Sequence, residues 1–299
     1  MKSVRWFLLP LLAMAVGCGD DSDGTDGGAG GSGDVMDAGT GDGCSTDDCQ
    51  DYFSVAQTLD WELQDDAGMV IGFDVDHRVS DDTDPQTCGN PDFTSPDGVE
   101  GIDSQSSLLM PLLFDATGDS IPGYVATAIS DGQLLWMLGI SGVDDPKDDD
   151  CVIVSSFPGV GTPFLGTDGL LAPGQTFDLD PEYGMASSEC APMKDGIVEA
   201  GPFETLLPIT IVQLSEVLRI HDAHVRAELH EDGSMDVLMA GGVEIEQLFT
   251  LVRQADTAEV TEIADLLIES LADLGQDEGG VCRQLSMTLT ARSTNAFVF

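Results

Sequence analysis

Val225-Arg226-Ala227-Glu228-Leu229-His230-Glu231-Asp232-Gly233-Ser234-Met235-Asp236-Val237-Leu238-Met239-Ala240 carries the signal that decides the fold. Together with the two residues before it, this stretch alternates Ala223, Val225, Ala227 and Leu229 with His224, Arg226, Glu228 and His230. A period of two puts the first set on one face of a strand and the second set on the other. Asp232-Gly233 then supplies the positive φ angles of a type I′ turn, and Ser234–Ala240 returns as the partner strand. Along such a strand His224 and His230 lie roughly 20 Å apart, too far to share a zinc ion.

Working outward, Asp131-Gly132 between Tyr124–Ser130 and Gln133–Ile140 predicts a second hairpin of the same kind. Further strands are expected at Met69–Asp74, Cys151–Phe157, Pro208–Gln213, Glu216–Ile220 and Ser286–Phe299, separated by Gly/Pro/Asp-rich connections. Many strands with such turns predict an antiparallel sandwich or barrel. The C-terminal third changes period. Asp256 can cap a helix, with Glu259 three residues on, and Val260, Ile263, Ala264, Leu267, Ile268, Leu271 and Leu274 follow helical spacing up to Gly275, a natural stop. A shorter helix is expected from about Val243 to Arg253. The expected fold class is mainly β or α+β: an antiparallel β-sandwich-like body over 51–299, with a C-terminal helical pair near 243–274.

Ten basic residues face 55 acidic ones, for a formal net charge of −45. Nucleic-acid binding is excluded, because neutralising phosphates takes clustered Lys and Arg. Attraction to bare anionic lipid is disfavoured, while a cationic partner or a divalent metal is favoured. The richest carboxylate segment runs from Asp74 to Asp103. Asp74 and Asp76 share a face if that part is extended. A folded-back loop would add Asp81, Asp84 or Asp103 to make an oxygen-rich set for a hard cation such as Ca²⁺. No D-x-D-x-D-G loop with a distal Glu is present. Nor is there a G-x-S-x-G elbow, and Gly159-Val160-Gly161 lacks the lysine of a phosphate-binding loop. A binding or structural module is therefore the leading expectation. A hydrolase with a carboxylate or metal centre is the alternative.

The N-terminus carries an address. Lys2 and Arg5 precede an apolar run from Trp6 to Val16, too short to span a bilayer, which takes about 20 residues. Ala15-Val16-Gly17-Cys18 follows, and this segment resembles the lipobox of bacterial lipoproteins. The resemblance covers residues 1–18. It implies cleavage after Gly17, a lipid-modified Cys18 as the first mature residue, and a bilayer partner reached through the acyl chains. Loss of residues 1–17 would remove Lys2 and Arg5 and take the net charge from −45 to −47. Residue 19 is Gly rather than Asp, which by analogy with enteric lipoproteins points to the outer membrane or cell surface. Residues 19–43 hold ten Gly and seven Asp and no Lys, Arg, Pro or aromatic residue. Such a composition predicts a disordered tether, spanning about 30 Å as a Gly-rich coil. With Gly-Ile-Asp-Ser-Gln at 101–105, the layout is similar to uncharacterised acidic lipoproteins of large-genome bacteria, a likeness that assigns no activity. Once Cys18 is set aside, Cys44, Cys49, Cys88, Cys151, Cys190 and Cys282 form an even set. In an exported chain they are disulfide candidates of open connectivity.

Overall fold

In the computed structural model, residues 49–211, 214–254 and 258–299 are described. Cys18, Cys44, the Gly/Asp tether and the expected cap Asp256 lie outside the described residues. Those described belong to one compact unit, Gly41–Phe299. Strand β1 (Gln50–Trp61) is followed by the short pair β2 (Phe93–Thr94) and β3 (Glu100–Ile102), then helices α1 (Ser106–Ala116) and α2 (Ser120–Ser130). Five strands follow: β4 (Trp136–Val143), β5 (Asp148–Val160), β6 (Gln175–Leu179), β7 (Ala186–Lys194) and β8 (Ile197–Ile211). Next come β9 (Leu214–Leu229), β10 (Met235–Glu244), α3 (Ile245–Gln254), α4 (Ala258–Leu271), β11 (Leu274–Gln276) and β12 (Cys282–Val298).

The body is mainly antiparallel β, a sandwich-like α+β fold, and its main sheet closes on itself. Starting at β1, the antiparallel partners run β4, β5, β7, β8, β9, β10 and β12, and β12 pairs back to β1. The opening stretch forms the β9–β10 hairpin, with Met235 opposite Leu229 and Val237 opposite Ala227. Its apolar face is the inner one: Ala223, Val225, Ala227 and Leu229 are all buried, in one core with Val55, Leu138, Phe157, Val198 and Leu289. At about 25 cal/mol per Å² of apolar surface, this interior is the largest stabilising contribution to the fold. A second apolar cluster lies under the helices, where Leu109, Met110 and Leu113 of α1 meet Ile245 and Phe249 of α3, Ile268 of α4 and Leu285 of β12.

Two expected strands form differently. Tyr124–Ser130 belongs to helix α2, not to a hairpin. Ile121, Val125, Ala128 and Ile129 bury one helical face, and Gly132 at φ +72° ends the helix by donating to Ile129 O. Asp131-Gly132 is thus a helix C-terminus, the other common use of a left-handed glycine. Met69–Asp74 is not a strand but an extended strap over the outside of the sheet. Single backbone bonds hold it, from Val70 N to Thr94 O and from Asp103 N to Phe73 O. Gly72 lies flat on Ile102 and Thr288; a Cβ there would come within 2.7 Å of Ile102 Cγ2. Elsewhere the strands run longer than expected, and Glu216–Ile220 and Val225–His230 merge into β9.

Cys88 bridges Cys282, and Cys151 bridges Cys190 across neighbouring strands β5 and β7. Cys49 is disulfide-bonded too. Such bridges mark an extracytoplasmic protein. Among the described residues no helix is long and apolar enough to cross a membrane.

Candidate metal centre

The strap delivers Asp74 and Asp76, and the turn between β3 and α1 delivers Asp103. The strap bends over 75–77, where His77 has φ +58°; Asp74 and Asp76 flank Val75, which makes a small apolar contact with Ala240 and Leu274. Phe73 and His77, on either side, bracket His224 of β9 at ring distances of 5.7 and 5.6 Å and seat the strap on the sheet. The Asp103 N–H bond to Phe73 O brings the third aspartate alongside. One carboxylate oxygen from each of Asp74, Asp76 and Asp103 lies within 4.8 Å of the others.

Each carboxylate is oriented through one oxygen. Asp103 Oδ2 accepts from Val75 N (2.7 Å) and Asp76 N (3.3 Å). Asp74 Oδ1 accepts from Arg78 N (2.8 Å), and Asp76 Oδ2 lies 4.0 Å from Arg78 Nε. Asp103 Oδ1 and Asp76 Oδ1 are buried and receive no hydrogen bond from the protein. Gly101, at φ +85°, lies against the same spot: a Cβ there would be 2.7 Å from Arg78 O and 3.2 Å from Asp74 Oδ2.

Of the five aspartates expected to gather, the structure unites three. Asp81 is exposed and folds onto its own turn, accepting from Thr83 N at 2.8 Å. Asp84 pairs with the Arg78 guanidinium at 2.9 Å and accepts from Gln86 N. Asp92, Asp273 and Ser286 are neighbours that the expected set lacked. Asp92 Oδ2 accepts from Ser80 N (2.6 Å). Asp273, just past α4, accepts twice from Ser286 of β12, from its N (2.8 Å) and its Oγ (2.6 Å). Ser286 Oγ in turn accepts from Gln105 N at 2.7 Å. Asp273 had one sequence signal, a lone acid in Leu271-Ala272-Asp273-Leu274.

Burial and mutual repulsion disfavour charge on Asp76, Asp92, Asp103 and Asp273. Burial, then the charge of Asp273, pushes Asp103 up to about 8. Asp273 rises to about 7 and Asp92 to about 6, both chiefly through burial, and Asp76 is raised by burial and then by Asp74. Arg78, the nearby cation, is half-exposed, and its guanidinium donates to Gln86 Oε1 and pairs with Asp84 rather than with Asp76, whose Oδ2 is 4.0 Å away. Hence the centre is an undercompensated group of carboxylate oxygens that could hold a cation. His221 and His230 stay outside it: His221 pairs with Glu204 (2.6 Å) and His230 with Asp236 (3.1 Å).

Two surface hollows lie elsewhere. A groove of about 570 Å³ on the outer face is lined by Asp60, Ile71, Arg226, Glu228, Asp236 and Arg292, among others. A smaller hollow of about 170 Å³ lies between β1, α2 and Leu171. Neither is lined by Asp76, Asp92, Asp103 or Asp273. No family model matches this chain, and no curated protein or solved structure matches it significantly. Its class rests on fold and site alone: an extracytoplasmic, disulfide-braced, antiparallel β protein with an acidic centre.

Proposed function

We propose that this chain is an exported lipoprotein, anchored through Cys18, whose β body works by binding or as a structural element rather than by catalysis. The observation that carries the second half is the placement of the carboxylates with raised pKa. A hydrolase needs such groups to converge in a hollow open to substrate. Here Asp103 and Asp273, the two raised furthest, are 1 % and 2 % exposed, Asp76 and Asp92 are half-buried, and neither hollow described above is lined by any of the four. The disulfides support export, and the lipobox supports the anchor. Gly19 favours the outer membrane or the surface over retention at the inner membrane.

Intact-mass analysis of the protein taken from the membrane fraction tests the anchor. The mature chain is expected to start at Cys18 and carry acyl chains, and Cys18→Ala to lose lipid labelling and stay unprocessed. An unmodified mature terminus at any other residue overturns this assignment.

A further inference from the structure

We propose that Asp74, Asp76 and Asp103 form a Ca²⁺ site that pins the strap 69–78 to the turn before α1. The proposal goes beyond membrane tethering and does not depend on the fate of Cys18. Acidic groups on a chain of net charge −45 are commonplace; what sets these apart is an unmet ligand capacity inside the protein. Asp103 is 1 % exposed, its Oδ2 is held by two backbone N–H groups, and its Oδ1 has no donor. Asp76 Oδ1 is in the same position. A buried acceptor without a partner costs about 1–3 kcal/mol, more when charged. Two such atoms in one cluster set it apart from a solvated loop and leave room for a cation between them.

Chemistry narrows that partner. The ligands are all carboxylate oxygens, with no thiolate or imidazole among them, which selects a hard cation. Oxygens bound to one Ca²⁺ at 2.3–2.6 Å are at most about 5 Å apart, and these three lie within 4.8 Å of one another. Ca²⁺ also tolerates irregular ligand arrangements, whereas Mg²⁺ demands a near-ideal octahedron. Three carboxylates fixed by two separate segments form an irregular set. Gly101 keeps the approach to Asp74 free of a side chain.

The test is calorimetric titration of CaCl₂ into the chelator-treated full chain, with melting followed in parallel, at about 0.15 M salt to screen diffuse attraction. One saturable site is expected, with a melting temperature higher in Ca²⁺ than in chelator. Asp76→Asn is expected to weaken binding at least tenfold and to abolish the thermal shift, without lowering the melting temperature in chelator. Asp81→Asn, in the exposed neighbouring turn, is expected to change affinity less than twofold. Should Asp76→Asn fail to fold, Asp74→Asn carries the same expectation, since its Oδ1 still accepts from Arg78 N. The absence of saturable binding overturns the proposal. So does equal affinity in Asp76→Asn or Asp74→Asn, or a loss in Asp81→Asn as large as theirs.

Discussion

Ser286→Ala tests whether the buried node behind the acidic centre holds the helices to the sheet. The hydroxyl does two jobs: it donates to Asp273 Oδ2 at 2.6 Å and accepts from Gln105 N at 2.7 Å. At pH 8 Asp273 is mostly ionised, given its value of about 7. Losing a hydrogen bond to a charged group then costs about 1.5–3 kcal/mol, and leaving the Gln105 N–H buried without an acceptor adds about 1–3 kcal/mol. Alanine has no hydroxyl to desolvate, which offsets about 1 kcal/mol. The net loss expected is about 1.5–5 kcal/mol, a large share of the 5–15 kcal/mol typical of a whole protein. Urea unfolding at pH 8 would show it as a lower midpoint with unchanged slope. Ser270→Ala, on the exposed side of α4 where the hydroxyl meets only its own helix carbonyls, should stay within about 0.5 kcal/mol. A Ser286→Ala loss below about 1 kcal/mol would refute the reasoning, because the hydroxyl would then be carrying neither partner.

Two other outcomes are expected. A carboxyl whose folded pKa is raised binds protons in the folded state that the unfolded chain releases. Its contribution therefore falls as pH rises from the unfolded value towards the folded one. With Asp92, Asp273 and Asp103 at about 6, 7 and 8 against 3.8, the melting temperature in chelator should drop steadily between pH 5 and 8. Asp273→Asn should flatten that slope, and an unchanged slope would show that these carboxyls are not its source. In the chain-entropy account, closing Cys88–Cys282 over 194 residues stabilises by about 5 kcal/mol, against about 4 kcal/mol for Cys151–Cys190 over 39. Equilibrium unfolding of Cys88→Ser/Cys282→Ser and Cys151→Ser/Cys190→Ser should therefore rank the first as the less stable, and the reverse ranking would contradict it.

What was legible in the sequence was local. The alternation in β9 named its inner face, Ala223 to Leu229, because one strand face is dry along its whole length. Asp74 and Asp76 were legible as neighbours two apart, but a bend over 75–77 rather than a strand's alternation holds them together. Asp131-Gly132 misled because a left-handed glycine serves a hairpin and a helix end equally well; the burial of Ile121, Val125, Ala128 and Ile129 decides between them. Helix α1 was concealed by Pro111 within it and by an apolar run, Leu108 to Phe114, that is too continuous to show a period. The remainder depends on contacts between distant residues. Asp103 joins the strap by donating its N–H to Phe73 O and accepting at Oδ2 from Val75 N and Asp76 N, and Asp273 enters the node through Ser286. No spacing in the chain announces either meeting.

Strand β12 also sets the order in which this protein can come into being. It hydrogen-bonds to β1, β10, β6 and β11, and its first residue is Cys282, the late half of the longer bridge. A ribosome makes β1 and β10 well before it. Every nascent chain short of β12 therefore exposes two unpaired strand edges and an unmatched Cys88, the template on which neighbouring chains aggregate. Pairing Phe53 with Ala296 must also close almost the entire length of the described chain, the slowest kind of contact to form. Closure of the sheet therefore waits on β12, which alone among the described strands pairs with both β1 and β10.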